Sequence, residues 1–234
     1  MTEITALRVV RGGRSILDIP SLQLDQRPGL LLGVNGAGKS TLFSVLSSRS
    51  KPTSGTIERS GSVALVEQTF RPILGFSSAE YCAYVAWLAG QKRRVARTEA
   101  VSWLKFVNLE HKAAQKCESL SGGEQARLAI ATAMNSGADL LLLDEPSAAL
   151  DPVSKAQVSE VYQRIVREGY SLLVSTHDVG DLRPPFQRVI VLDSGEVHFD
   201  GTLSQFRQLA HGHDLTPAHT LARAFAERGG DSDR

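Results

Sequence analysis

Leu30-Leu31-Leu32 is a short unbroken apolar run that ends in glycine, and a helical pattern over Lys39 to Ser48 follows closely. Val63 to Val66 reads as another short strand, and Leu140 to Leu143, Leu172 to Val174 and Val189 to Leu192 repeat the type. Continuous apolar runs of this length suit strands covered on both faces of a parallel sheet. Between the Leu140 and Leu172 runs, Val153 to Glu168 carries helical periodicity and Gly169 stops it. Strands alternating with helices at this spacing predict an α/β domain with a mainly parallel sheet.

The stretch from about 72 to 117 breaks that alternation. It holds no convincing strand and predicts two or three helices, among them Ser78 to Ala89 and Val95 to Val107, as an inserted helical subdomain. The last residues, 229–234, are glycine followed by polar residues and predict a frayed tail, leaving 1–228 as one domain with that insertion.

A chain of 234 residues with 42% hydrophobic and 22% charged residues is ordinary globular composition. The formal net charge of +1 supplies no basic excess of the sort that nucleic-acid binding uses, so no nucleic-acid partner is expected. Cys82 and Cys117 are too few for a disulfide framework and lack metal-ligand spacing, which predicts free thiols in a reducing compartment. The most apolar stretches, Tyr81 to Ala89 and Leu140 to Leu143, are far short of the roughly 20 residues that span a bilayer. A cytoplasmic chain is expected, with any membrane role passing through another polypeptide.

Gly33-Val-Asn35-Gly36-Ala37-Gly38-Lys39-Ser40, with Thr41 after it, fits the phosphate-binding P-loop pattern, and a strand leads in while a helix leads out. Its glycines let successive N–H groups turn towards one anion, and the helix N-terminus adds positive potential. Lys39 can then neutralise the β- and γ-phosphates and Ser40 can offer a hydroxyl to Mg²⁺. Downstream, Leu143-Asp144-Glu145-Pro146 places adjacent carboxylates at the C-terminal end of a buried strand, the edge where ligand sites of open α/β sheets gather. Asp144 suits the Mg²⁺ shell and Glu145 suits orienting or deprotonating an attacking water. Pro146 ends the strand because it cannot donate to a ladder.

Leu120-Ser121-Gly122-Gly123-Glu124 opens a helical run that ends near Met134. Locally this reads as an N-cap with Glu124 completing a capping box; it also offers hydroxyl and N–H donors as a second anion site without lysine.

These elements, in this order, resemble the ATP-binding-cassette family: the P-loop, Gln68 after Val63 to Val66, Leu120 to Glu124, Leu143 to Pro146, Ser147-Ala-Ala-Leu-Asp151, and Ser175-Thr-His177-Asp178. The resemblance spans nearly the whole chain. It implies a P-loop NTPase fold with an antiparallel N-terminal β portion beside the parallel sheet, and it implies ATP and Mg²⁺ as cofactors. It implies that Gln68 touches the Mg²⁺ and water site, that His177 contacts the γ-phosphate and the water, and that Asp151 lies across a dimer seam. Ser121, Gly122, Gly123 and Glu124 would grip the ATP held by a second cassette, identical or different. The family's adenine-stacking aromatic is replaced here by Arg11, ahead of Gly12-Gly13, and a guanidinium can also stack on a base. Glu124 stands where the family most often has glutamine.

The resemblance further implies ATP hydrolysis coupled to a separate transmembrane permease, which would hold the chain on the inner face of the membrane. Glu80 to Gly90 followed by Lys92-Arg93-Arg94, and Val197 to Thr202, are similar to bacterial exporter cassettes, so export is the expected direction. An importer energy subunit, or a soluble ATPase acting on a macromolecular partner, are the alternatives.

Overall fold

The computed structural model describes residues 1–210, so the expected tail 229–234 lies outside the described residues. The described residues form two compact units, Met1–Ser60 with Leu173–Ala210, and Gly61–Leu172.

In the first unit, strands β1 (Thr2–Arg11) and β2 (Arg14–Leu24) form a hairpin turned by Gly12 and Gly13, both at positive φ. That backbone is what a two-residue hairpin turn with the right twist demands. Strand β4 (Ser54–Arg59) pairs antiparallel to the other side of β1. The buried positions of β1 change phase, from Thr2 and Ile4 to Leu7 and Val9. The cause is a bulge: Ala6 takes φ 49 where the register with β4 shifts, re-aiming the side chains that follow. Gly55 of β4 passes so near this bulge that a Cβ there would stand 2.7 Å from Leu7 Cα.

A second sheet in this unit is parallel at its centre. Strand β3 (Gly29–Leu32) lies between β7 (Ser171–Thr176) and β8 (Arg188–Asp193) and runs parallel to both. All four residues of β3 are buried, which explains its unalternating sequence. Strand β9 (Glu196–Thr202) adds antiparallel to β8. Helix α1 (Lys39–Leu46) follows β3, and helix α6 (Leu203–Ala210) follows β9. Buried Arg188 fastens three strands: its guanidinium donates to both Asp200 oxygens and to the Gln23 carbonyl at 2.6–2.7 Å.

The second unit pairs β5 (Val63–Val66) parallel to β6 (Leu140–Asp144) and holds four helices. These are α2 (Ser78–Leu88), α3 (Arg93–Phe106), α4 (Gly122–Asn135) and α5 (Pro152–Arg167). Helices α2, α3 and α4 meet at Asn135, whose Nδ2 donates to the carbonyls of Cys82 and Ala96 at 3.1 Å each. Capping boxes start α2, between Ser77 and Glu80, and α4, between Ser121 and Glu124. Helix α5 is bounded as its sequence suggests, with Asp151 as N-cap, Pro152 in the first turn and Gly169 at φ 82 beyond its end. The unit extends beyond the 72–117 stretch on both sides, because β5, α4, β6 and α5 belong to it as well. Among the described residues, no helix is long and apolar enough to cross a membrane.

Candidate nucleotide site and family

The P-loop of the first unit is built by close backbone packing. Gly33 N donates to the Thr176 carbonyl at 3.2 Å, and a Cβ on Gly33 would overlap the Leu192 carbonyl oxygen. Gly195 N donates to the Ala37 carbonyl at 3.0 Å and pins the far side of the loop. Gly38 has φ 106, and a Cβ there would lie 2.8 Å from Leu17 Cδ2. Only glycine meets both demands at Gly38. Asn35, Gly36 and Ser40 are exposed along the same turn, Thr41 is half-buried and Ala37 is buried.

Helix α1 begins at Lys39 with no side chain capping it and no acidic residue in its first turn. Its first N–H groups therefore have no intrahelical partner and carry the positive end of the helix dipole. Lys39 is only 5% exposed, and its Nζ donates to the carbonyls of Gly33 at 2.7 Å and Val34 at 3.1 Å. A glycine cradle, an uncapped helix start and an ammonium group bent over the loop fit a polyphosphate.

His177 leaves the end of β7 directly after Thr176, which the bond to Gly33 N holds beside the start of the loop. Its backbone is fixed by a small network: Asp178 N donates to Thr176 Oγ1 at 2.9 Å, and Thr176 Oγ1 donates to Asp181 Oδ2 at 2.6 Å. Asp181 was not singled out by the sequence, although Asp178 with Gly180 two residues on is a turn signal. Arg11 is exposed at the hairpin tip, opposite Arg14. Two residues beyond Arg14, Ile16 and then Leu17 pack on Gly38, so this hairpin flanks the loop.

In the second unit, Val66 pairs with Leu143, so Gln68 and Glu145 each follow the paired positions by two residues at the same sheet edge. Strands this close sit about 4.8 Å apart. Asp144 ends β6 and is 7% exposed. Glu145 has φ 46, a left-handed backbone that a non-glycine residue adopts at an energy of about 1–3 kcal/mol. Backbone strain of this kind clusters at active sites and ligand clamps. Ser40 and Asp144 are hard oxygen donors, the chemistry that Mg²⁺ takes.

Ser121 caps α4 as its sequence suggests: its Oγ accepts from Glu124 N at 3.3 Å, and Ser121 N donates to Glu124 Oε2 at 2.9 Å. The Ser121 side chain also hydrogen-bonds the Glu124 carboxylate, so an anion contact at this tip would have the hydroxyl exchange one acceptor for another. Burial pushes the Glu124 carboxyl up, but hydrogen bonds from Ser121 and Lys112 outweigh it and hold it below the usual range. Lys112 was not foreseen; it reaches Glu124 Oε1 at 3.2 Å. Gly122 is exposed and Gly123 buried at this tip. Asp151 is exposed, and hydrogen bonds from Ser154 and Val153 lower its carboxyl.

A model of the ABC transporter family matches residues 21–148, more than half of the chain and all of the segment from the P-loop to the acid pair. The chain belongs to the ABC transporter family. The match begins within β2 and ends just past Glu145. Among curated relatives, the methionine import ATP-binding protein MetN of Nocardia farcinica is 32% identical over 84% of this chain and 62% of its own length. An uncharacterized ABC transporter ATP-binding protein, YxlF of Bacillus subtilis, is 32% identical over 76% of this chain and 62% of its own. MetN 3 of Oceanobacillus iheyensis is 29% identical over 74% of this chain and 56% of its own. The chain thus spans 56–62% of the length of these relatives. Among solved structures, the ATP-binding subunit of an ABC transporter aligns with TM-score 0.81 at 21% identity over 96% of this chain and 99% of that one. A dimeric bacterial ABC transporter cassette, MJ0796, aligns with TM-score 0.77 at 24% identity over 87% and 99%. Both place the fold as an ABC cassette, α/β with the expected antiparallel strands.

Proposed function

We propose that this chain is the ATP-binding and ATP-hydrolysing subunit of a membrane transporter, working as one of a pair of cassettes. The observation that carries this reading is the start of α1, where an uncapped helix N-terminus, left-handed Gly38 and a buried lysine converge on one loop. In this reading the N–H groups of Asn35 to Thr41 wrap the phosphates of ATP. Lys39 exchanges its carbonyl partners for β- and γ-phosphate oxygens. Ser40, Asp144 and Gln68 would hold Mg²⁺, which when bound supplies charge neutralisation on the phosphates. Glu145 orients the attacking water and takes its proton, Gln68 shares that water, and His177 reaches the γ-phosphate. Arg11 lies against the base.

Ser121 to Glu124 of a second copy close over the same ATP, with Asp151 at the seam. ATP then joins two copies, and hydrolysis releases them by removing the γ-phosphate contact. The named dimeric cassette of the same fold supports this reading.

Residues 72–117 act in this scheme as the helical subdomain that passes the motion to a permease. The second unit carries a groove of about 550 Å³ lined by Phe76, Tyr84, Trp87, Arg93, Arg97 and Lys116 among others. Trp87 and Leu88 remain 48% and 62% exposed. Against the cations Arg93, Arg97 and Lys116 the groove's lining holds one carboxylate, Glu80, whose Oε2 is taken by Ser77 of its own capping box, while Lys116 Nζ donates to the Gly75 carbonyl. Aromatic walls with excess positive charge suit a short acidic, apolar-faced segment of the permease. That partner would hold the chain at the inner face of the membrane. Its relatives with a printed direction are named for methionine import, which favours an importer over the exporter that residues 80–94 and 197–202 suggest. The test of the catalytic reading is turnover of Glu145→Gln: Mg-ATP binding should persist while hydrolysis falls at least about 100-fold. Normal turnover in that variant removes Glu145 from its role, and no Mg-ATP binding by the wild-type chain removes the whole reading.

A further inference from the structure

The N-terminal ends of α4 and α5 meet at two levels. At the first, Gly123 lies so close to Ser154 that a Cβ on the glycine would overlap Ser154 Oγ and stand 2.7 Å from Ser154 Cβ. The same Oγ donates to Asp151 Oδ2 at 2.6 Å, so the serine wedged against Gly123 also orients the Asp151 carboxylate. About one helical turn further along each helix, Arg127 Nη1 donates to Gln157 Oε1. Positions three and four apart share a helix face, so Gly123 and Arg127 of α4 confront Ser154 and Gln157 of α5.

Arg127 is an unexpected residue for the second level. It is 6% exposed, and its Nε has no hydrogen-bond partner. Its neighbouring carboxylate, Glu124, directs its oxygens to Ser121 N and Lys112 Nζ instead. Burial pushes the guanidinium down from its ordinary value. Packing stability alone would favour an apolar side chain, because a buried charge without an opposite charge bonded to it is expensive to hold. A planar donor fork anchored across a helix junction fixes orientation instead.

We infer that Arg127 is a positioning residue: with Gln157, and with Ser154 against Gly123, it locks the Ser121–Gly123 tip of α4 to Asp151 at the tip of α5. Both tips then enter the seam between copies as one rigid piece. The inference rests on the proposed reading that Ser121 and Gly123 hold the terminal phosphate of another copy's ATP.

The test uses the full chain carrying Glu145→Gln, with the ATP-dependent dimer measured by sedimentation across protein concentrations. A fluorescent ATP analogue reads nucleotide affinity of the dilute monomer, and melting temperature checks the fold. Gln157 lies on the exposed side of α5, so Gln157→Ala should fold normally. It should weaken the dimer by about tenfold or more, as loss of a hydrogen bond to a charged group implies, while monomer affinity stays within about twofold. Gln157→Glu, which restores an acceptor, should recover the dimer. Arg127→Met should weaken it as Gln157→Ala does; if that variant does not fold, the Gln157 pair decides alone. Unchanged dimerisation in Gln157→Ala, or a parallel loss of monomer nucleotide affinity, overturns the positioning role while leaving the sandwich reading intact. Absence of any ATP-dependent dimer in Glu145→Gln itself overturns the sandwich and this inference with it.

Discussion

Lys39 Nζ donates to the Gly33 carbonyl at 2.7 Å, across the loop that both residues frame. The lysine is thus held over the cradle by backbone oxygens that phosphate oxygens can replace without moving the loop. Lys39→Ala should weaken Mg-ATP binding by roughly 30-fold or more, the loss expected for a charged hydrogen-bonding group. Isothermal titration checks this, and affinity within a few-fold of wild type would exclude Lys39 from phosphate contact.

Asn135 predicts where the second unit is vulnerable. Its Nδ2 joins α4 to the carbonyls of Cys82 on α2 and Ala96 on α3. Both carbonyls lie in helices and keep intrahelical partners, so Asn135→Ala should destabilise by about 1–2 kcal/mol rather than abolish folding. Urea unfolding measures the change.

Acid should destabilise the fold in a defined direction. Glu124, Asp151, Asp25 and Asp139 all have carboxyls held below their ordinary values in the folded chain. For Glu124 and Asp25 burial opposes this, and bonds from Ser121 and Arg27 respectively prevail. A lowered folded value means the unfolded chain binds more protons, so this contribution is complete above the unfolded values near about 4. It is lost as pH falls through the lower folded values. Unfolding midpoints between pH 7 and pH 3 should drop at the acid end, and Glu124→Gln should flatten that drop.

The thiols should be silent in the native state. Burial pushes Cys82 up to about 12 and Cys117 up to about 11, and both side chains are inaccessible. Neither should react with a thiol reagent at pH 8 until denaturant is added, because thiolate is the reactive form. Prompt labelling of the native chain would contradict the packing around α2.

The basic aromatic groove should matter only when a partner is present. Trp87→Ala should leave nucleotide affinity of the isolated chain unchanged and lower co-purification of the proposed permease partner from solubilised membranes.

Much of this architecture can be read from local chemistry. Helix α5 carries its boundaries in Asp151-Pro152 and Gly169, and the runs around β3, β6, β7 and β8 lack alternation because both faces are covered. The P-loop and acid pair are contiguous, so their order in the chain is enough to find them. The bulge at Ala6 is less legible, since it changes the phase of β1 through pairing with a strand more than 40 residues away. Arg127 is hidden for the same reason: a helical arginine looks exposed until Gln157, 30 residues on, is brought against it. The left-handed backbone of Glu145 has no sequence signal either, because glutamate has no preference for positive φ.

The central claim is that ATP joins two copies of the chain, each phosphate loop closed by the serine–glycine tip of the other. Sedimentation of Glu145→Gln with Mg-ATP tests it most directly, starting from a chain of 25.3 kDa. The account predicts a doubling of mass with ATP, no change with ADP, and loss of the ATP effect when Ser121→Arg is added. A mass that ignores ATP, or an ATP dimer that tolerates Ser121→Arg, would contradict it.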